Sequence, residues 1–192
     1  MALNTYAVGQ RLTASLLQNL SDSLESYIPK TYTKSTSTAR TSTTTYTIDP
    51  DLQLIPLEIG VYDIELLLFF TLANAGGATG PASLKTQWRF TGTWAGTNGP
   101  DRAVAGPNNT VAASPPNIKI TSANFSANQA SGQDAIYMAD GIGTLFGSAR
   151  ETSMNVQVTA AGNLALYWAQ NVSDSDATTI QGGTSFRVRK VL

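Results

Sequence analysis

The sequence contains no cysteine and no histidine. Without cysteine, the chain can form neither disulfides nor thiolate metal sites, and it has no cysteine nucleophile. Without histidine, it lacks the commonest general base and the commonest zinc ligand. Ordinary hydrolases and transition-metal enzymes are therefore hard to build from these residues, and we expect a non-enzymatic protein with no catalytic residues, no cofactor and no metal site.

Charge is also scarce in this chain. Charged residues form 13% of it, against about a quarter in an average soluble domain, so hydroxyl and amide side chains must keep the surface hydrated. The 12 basic and 13 acidic residues are spread along the sequence. No segment has the basic density that neutralising nucleic-acid phosphates requires, and we expect no nucleic-acid partner.

Long hydrophobic runs are missing as well. The longest, residues 64–70, contains Glu65 and falls far short of the roughly 20 residues that span a bilayer, so we expect no membrane insertion. The first residues show no basic region followed by an apolar stretch and a small-residue cleavage site, so no secretory signal is predicted. We therefore expect the protein to be made and assembled in a cytoplasm.

A short helix is predicted near the N-terminus. Apolar residues recur there at helical spacing: they are Leu17, Leu20, Leu24 and Tyr27 or Ile28. Thr13 suits the N-cap position, and Pro29 should end the helix at Ile28. The apolar stripe is narrow, and a helix this short is marginal in water by itself. It either lies on the rest of the chain or docks on a partner or on its own copies.

The chain after Pro29 has the composition of strands and turns. Residues 31–48 are rich in Thr and Ser, which favour a strand, although so simple a sequence is also typical of a flexible linker. The strongest strand signal is residues 61–72, where alternate apolar residues form one face: they are Tyr62, Ile64, Leu66, Leu68 and Phe70. Leu67 and Phe69 make the other face apolar at one end, which predicts a subunit interface and a homotrimer.

Further strands complete an all-β domain. Leu84, Trp88 and Phe90 alternate with polar residues, and a hairpin of this strand with residues 61–72 would place Asp63 and Glu65 beside basic partners, Lys85 and Arg89. Residues 92–117 are predicted to form a long loop with at most a short strand near residues 103–105. Apolar alternation predicts strands at residues 118–120, 135–146, 154–158, 164–168 and 186–188.

About eight strands result, at the spacing of an antiparallel two-sheet sandwich, which we expect to be jelly-roll-like. Trp88, Trp168 and Phe186 should share its core, because each lies on the apolar face of an alternating strand. The predicted organisation is an N-terminal anchoring segment with a helix, residues 1–29, followed by a β-sandwich domain, residues 30–192.

Few residues suggest chemistry. Three close carboxylate pairs are present: Asp49 and Asp51, Asp63 and Glu65, and Asp174 and Asp176. The last pair lacks the glycine and the distal Glu of a calcium loop, so a solvated turn is favoured. The second pair lies about 7 Å apart along a strand face, where ion pairs explain it better than glycosidase chemistry. Three aromatic residues suit sugar stacking, although core or interface positions are favoured: they are Trp94, Tyr137 and Tyr167.

Two stretches resemble a known group of proteins. Residues 8–20, Val-Gly-Gln-Arg-Leu-Thr-Ala-Ser-Leu-Leu-Gln-Asn-Leu, resemble the G-x-x-L-T-A-x-x-L-N-x-L start of minor tail, fibre and related accessory proteins of tailed phages of actinobacteria. The chain departs from that pattern at residues 17–19, where Leu-Gln-Asn replaces Leu-Asn. In such proteins the N-terminal segment commonly attaches to the particle. The resemblance therefore implies these attachment residues: Gly9, Leu12, Thr13, Leu16, Leu17 and Leu20. Leu24, which continues the apolar stripe of the predicted helix, is expected to take part in attachment as well.

The second stretch comprises residues 34–66 together with residues 164–171 and 182–186. It resembles the β domain of the same group, and the closing Gly-Gly-Thr-Ser-Phe strand is similar to that of trimeric tumour-necrosis-factor-like and C1q-like jelly rolls. The resemblance implies a virion structural protein of the minor tail, fibre or capsid-decoration type, assembled with other phage proteins in the host bacterial cytoplasm. The alternative is a receptor-binding adhesin that recognises a host-surface glycan.

Overall fold

The computed structural model describes residues 13–74, 83–95, 102–107, 118–123, 134–139 and 143–191. In these ranges it contains one helix, α1 (Ala14–Tyr27), and two sheets. The first sheet consists of β1 (Lys30–Thr33), β2 (Thr38–Arg40), β5 (Gly60–Asn74), β7 (Thr93–Ala95), β8 (Arg102–Pro107), β11 (Gly143–Ala160), β13 (Thr178–Ile180) and β14 (Ser185–Lys190). The second consists of β3 (Thr47–Ile48), β4 (Ile55–Leu57), β6 (Ser83–Phe90), β9 (Ile118–Ala123), β10 (Asp134–Ala139) and β12 (Gly162–Gln170).

Local sequence explains both ends of α1. The Thr13 carbonyl accepts hydrogen bonds from the amides of Leu16 and Leu17, both 3.1 Å long, and the Thr13 hydroxyl also accepts from Leu16 at 3.3 Å. These contacts satisfy amides that have no partner inside the helix. Pro29 disfavours helical backbone in the residue before it, and α1 ends at Tyr27. The predicted helix and its cap are confirmed, with the end one residue earlier than expected.

Both sheets are antiparallel, and β5 organises the first one. It pairs with β11 on one side and with β14 and β13 on the other, and β1 adds to β14 at the edge. In the second sheet β12 and β6 are central, with β3 and β4 beside β12 and β10 and β9 beyond β6. The predicted two-sheet antiparallel β sandwich is confirmed.

The core lies between the sheets, as the alternation of β5 predicted. The predicted face of β5 is buried, and the intervening residues point away from the core. Trp88 and Phe186 meet edge to face with ring centroids 5.1 Å apart, and Trp168 is fully buried in the same cluster. The predicted common core of these three aromatic residues is confirmed.

Within the described residues, the structure contains no helix with the length and apolar character of a membrane span.

Three predictions about the strands were wrong in detail. Strands β5 and β6 do not form a hairpin, since they belong to different sheets and face each other across the core. Residues 31–48 form three short strands, because the chain passes from the first sheet, which holds β1 and β2, to the second, which holds β3. Residues 92–117 contain β7 and β8 instead of a single short strand. The described residues thus form fourteen strands where about eight were expected, with residues 96–101 and 108–117 outside the description.

Candidate functional site

The apolar stripe of α1 is exposed. The exposed fractions are 52% for Leu17, 45% for Leu20, 60% for Leu24 and 58% for Ile28, which follows the helix. Helical periodicity places all four on one side of the helix axis. The described part of the sandwich therefore leaves this side uncovered, and α1 contacts that sandwich mainly along β14.

Near the end of α1, the outward face of the first sheet carries an array of charges. Arg189 pairs with Asp63, and Arg150 pairs with Glu65 at 2.5 Å. Arg187 lies directly opposite Glu65 in the register of β14 on β5. Together with Pro29 and Met154, these residues line an open groove of about 230 Å³.

The second carboxylate pair is therefore engaged in cross-strand ion pairs, as predicted, but with different partners. The hairpin hypothesis assigned Lys85 and Arg89 to these carboxylates, and this was wrong because those cations belong to the second sheet. There, the Lys85 ammonium lies 4.4 Å from the Tyr46 ring and the Arg89 guanidinium 4.1 Å from the Tyr167 ring. Such cation–π contacts stabilise cations that lie over aromatic rings.

The first carboxylate pair belongs to a buried ionic cluster. Lys34 and Asp49 have no exposed side-chain surface, and the Lys34 ammonium lies 3.0 Å from the Asp49 carboxylate. The ammonium also donates to the Thr38 hydroxyl at 2.8 Å, and Asp51 lies 3.7 Å away. Hydrogen bonds from the backbone amides of residues 35 and 36 lower the pKa of Asp51. Each charge is thus met by opposite charge or donors, as burial requires.

Trp168 connects this cluster to the core. Its indole N–H donates to Asp49 at 3.1 Å, and the Arg40 guanidinium stacks 3.8 Å above the ring. Arg40 also donates to the carbonyls of Thr47, Ile48 and Trp168, which belong to β3 and β12. Burial lowers the pKa of Arg40 to about 10, although nearby Asp49 opposes this. These contacts join β2 of the first sheet to the second sheet, which is a structural role.

A second buried acid lies in the core. Glu151 of β11 accepts hydrogen bonds of 2.6 Å from the Thr86 hydroxyl and from the Tyr137 hydroxyl. Among the described residues, neither the other oxygen of Glu151, Oε2, nor the Trp88 indole nitrogen makes a hydrogen bond of ordinary distance and angle. Burial raises the pKa of Glu151, although Thr86, Tyr137 and Trp88 favour its ionised form. Burial and the adjacent Glu151 raise the pKa of Tyr137 well above its ordinary value.

The aromatic residues considered for sugar binding do not share a surface. Tyr137 is fully buried, and Trp94 packs against the core with its ring stacked on Phe90 at 5.1 Å. Tyr167 lies beneath Arg89 on the second sheet. The favoured interpretation of Tyr137 as a core residue is confirmed. Recognition of a host-surface glycan stays a prediction that these three rings do not support.

The described residues bring no obvious reaction centre together. Within them, no group of three or more Asp, Glu, His or Cys side chains is placed to hold a metal ion. Asp174 accepts a 2.8 Å hydrogen bond from the amide of Asp176, which is a local turn contact. Two of the three carboxylate pairs therefore take part in ion pairs, and the third forms a turn.

The predicted site residues divide into three groups. Gly9 and Leu12 lie outside the described residues. The remaining attachment candidates lie together at or on α1: they are Thr13, Leu16, Leu17, Leu20 and Leu24. The predicted subunit-interface residues, Leu67 and Phe69, point outward from β5 and are half-buried. The turn at residues 181–184 forms hydrogen bonds with the backbone of Phe69.

Sequence reasoning missed the two buried ionic groups. Lys34 lies in a Ser/Thr-rich stretch, 15 residues from Asp49, so no local periodicity connects them. Glu151 lies between Arg150 and Thr152 in the sequence. Because both faces of the strand therefore carry polar residues here, the sequence does not show which face is buried.

Comparisons with known proteins add little. No protein-family model matches the chain, and no curated protein matches it. Among solved structures, the chain is similar to a chain of the "Structure of infectious bursal disease virus Gt strain", with 13% identity and a TM-score of 0.24. That similarity covers 86% of this chain and 42% of the other, so this chain spans less than half the length of its neighbour. A likeness this weak identifies neither a family nor a function.

Proposed function

We propose that this chain is a non-enzymatic structural protein of a tailed-phage particle, attached through its N-terminal segment as a minor tail, fibre or capsid-decoration protein. The observation that carries the proposal is the exposed apolar stripe of α1. A stripe of large apolar side chains on one face of a helix marks an interaction site. In this proposal the segment that contains α1 makes the attachment, and the β sandwich is the part displayed.

The construction of the sandwich supports this division. The buried residues of its core cluster all lie between Leu52 and Val188, so none belongs to α1. A core that is complete without the helix does not need the helix for folding. The helix is then available for another protein, and a short helix that is marginal in water gains stability when a partner covers its apolar side.

We further propose that the protein is a homotrimer in the virion, assembled in the host bacterial cytoplasm, with Leu67 and Phe69 at the contact between subunits. Both residues are half-buried and lie on the outward face of β5. Covering them with a neighbouring subunit would remove the remaining apolar surface from water. The ion pairs of Asp63 and Glu65 lie on the same face of the strand.

The direct test mixes purified protein with particles that lack it and measures what co-sediments. Leu17→Asp with Leu20→Asp should abolish binding, because docking would bury two unpaired carboxylates. The matched control is Leu54→Asp with Ile59→Asp, which adds the same two charges at apolar residues of the β domain that are 70% and 65% exposed. The control should bind like wild type.

Deletion of residues 2–28 completes the test. The truncated protein should remain folded, with the circular-dichroism spectrum of a β protein, but should no longer sediment with particles. If the truncated protein binds as well as wild type, the attachment surface lies on the sandwich and the proposal is wrong.

A further inference from the structure

The buried pair of Lys34 and Asp49 brings a nucleophile and an electrophile into contact. A lysine amine is a nucleophile once it has lost its extra proton. The Lys34 nitrogen lies 3.0 Å from Oδ1 and 3.0 Å from Oδ2 of Asp49, so the carboxyl carbon between these oxygens is within the roughly 3–3.5 Å of a near-attack arrangement. Neither side chain has exposed surface, so bulk water is kept away from the carbon.

Backbone hydrogen bonds hold both residues in this arrangement. The Lys34 amide donates to the Thr184 carbonyl at 2.7 Å, and the Lys34 carbonyl accepts from the Gly183 amide at 2.9 Å. The Asp49 amide donates to the Leu166 carbonyl at 2.8 Å. Groups that are fixed in a reactive geometry behave as if their concentration were roughly 10⁵–10⁸ M. The folded sandwich therefore favours a bond between these two side chains.

Hydrogen-bond donors surround both carboxyl oxygens of Asp49. Oδ1 accepts from the amides of Asp51 and Leu52 at 3.1 and 3.2 Å, and Oδ2 accepts from the Trp168 indole at 3.1 Å. Donors aimed at an oxygen that gains negative charge stabilise the tetrahedral intermediate of acyl transfer. The Asp51 carboxylate lies 3.7 Å from the Lys34 nitrogen, so it can take a proton that this nitrogen loses.

We propose that Lys34 and Asp49 condense to an amide, an isopeptide bond that cross-links the chain and releases one water molecule. The ion pair is the reactant of this step. The inference does not rest on the proposed attachment to a particle. It gives a covalent modification to a cluster whose contacts otherwise only join the two sheets.

The step balances without an oxidant, a reductant or another reactant. A proton first moves from the Lys34 ammonium to Oδ2 of Asp49, which gives a neutral amine and a carboxylic acid. The nitrogen lone pair then forms a bond to Cγ while the π electrons of the carbonyl move to Oδ1. The nitrogen gives one proton to Asp51, which passes it to the Oδ2 hydroxyl. Water leaves with the electrons of the Cγ–Oδ2 bond, and Oδ1 becomes the amide carbonyl.

The bond links the two sheets where the sandwich begins. Lys34 directly follows β1 of the first sheet, and Asp49 directly follows β3 of the second. An amide is not broken by reducing agents, so this cross-link holds in any redox compartment, which suits a chain without cysteine. Because β1 follows α1, a force applied through the N-terminal segment reaches this bond before most of the sandwich.

Mass spectrometry of the purified, denatured full chain tests the proposal. Wild type should be lighter than its sequence by the mass of one water molecule, at isolation or increasingly during incubation of the folded protein at neutral pH. Lys34→Met should keep its full mass, because it lacks the amine. Lys30→Met, the same change at the exposed start of β1, is the matched control and should still lose water. A wild type that keeps its full mass after prolonged incubation overturns the proposal.

Tryptic mapping of wild type locates the bond and does not depend on the folding of any variant. Trypsin does not cleave after an acylated lysine, so residues 31–40 should remain joined, as a branched peptide, to residues 41–85. Cyclisation of an aspartate to a succinimide causes the same loss of mass, but it needs an N–H on the next residue, which Pro50 lacks. It would also release residues 31–34 as a free peptide. Loss of water located at any other residues contradicts the proposal.

Discussion

The buried pair of Lys34 and Asp49 provides the sharpest test of the structure. The Lys34 ammonium lies 3.0 Å from the Asp49 carboxylate, and neither side chain is exposed. Lys34→Met keeps an unbranched side chain of similar length but removes the positive charge and the hydrogen bond to Thr38. The buried Asp49 carboxylate is then left without its closest counterion, which is the costly way to break a buried pair.

The expected loss can be estimated from the contacts that remain. Removing one partner of a buried ion pair costs about 3–5 kcal/mol. Asp49 keeps its hydrogen bonds from the Trp168 indole and from the amides of Asp51 and Leu52, and Arg40 remains nearby. We therefore expect the lower end, about 3 kcal/mol in the free energy of unfolding. For a chain of this length that corresponds to a melting temperature lower by roughly 6–12 °C.

The assay is urea unfolding at neutral pH, monitored by tryptophan fluorescence, with thermal unfolding as a second measurement. Lys34→Met with Asp49→Asn should recover part of the loss, because the buried carboxylate is also neutralised. Lys30→Met, on the exposed start of β1, is the control and should change stability by less than about 0.5 kcal/mol. A loss below about 1 kcal/mol for Lys34→Met, or a double variant equal to the sum of its single changes, would refute the reasoning.

Three further predictions test the core and the subunit contact. Trp168→Ala should lower the free energy of unfolding by about 3–5 kcal/mol, and an unchanged melting temperature would contradict its buried position. Burial raises the pKa of Glu151, so the folded protein holds a proton on this side chain more tightly than the unfolded chain does. Protonated Glu151 therefore favours the folded state below the ordinary glutamate pKa of 4.5, and this contribution to stability is lost as the pH rises through the raised pKa. Glu151→Gln should remove that pH dependence, so urea titrations showing equal pH slopes for variant and wild type would sink the idea. Phe69→Asp should reduce the sedimenting mass by burying a carboxylate at the proposed trimer contact, whereas an unchanged mass would place that contact elsewhere.

Elements with strong local signals could be predicted from the sequence. The helix followed from apolar spacing between a capping Thr13 and Pro29, both of which act through neighbouring backbone atoms. The inward face of β5 followed from strict alternation, because consecutive side chains of a strand point to opposite sides. Trp88 and Trp168 were assigned to the core for the same reason. These inferences need only the residues within one element.

Strand partners could not be predicted in this way. Alternation assigns a face to each strand but does not say which strand lies beside it, and the next strong strand in the sequence was wrongly taken as the neighbour of β5. The real neighbours of β5 come from residues 143–160 and 178–190. Consequently Asp63 and Glu65 were assigned cations from the opposite sheet, although their carboxylates did prove to be paired.

By itself, the sequence determined the class of the fold, the helix with its apolar stripe, and the residue types available for chemistry, since these depend on composition and on periods of two or 3.6 residues. Tertiary structure alone decided that Lys34 meets Asp49, that Glu151 is buried in the core, and that the sandwich leaves the stripe of α1 exposed. These features arise from contacts between residues distant in sequence. Local periodicity contains no information about such pairs, because they form only when the sheets assemble.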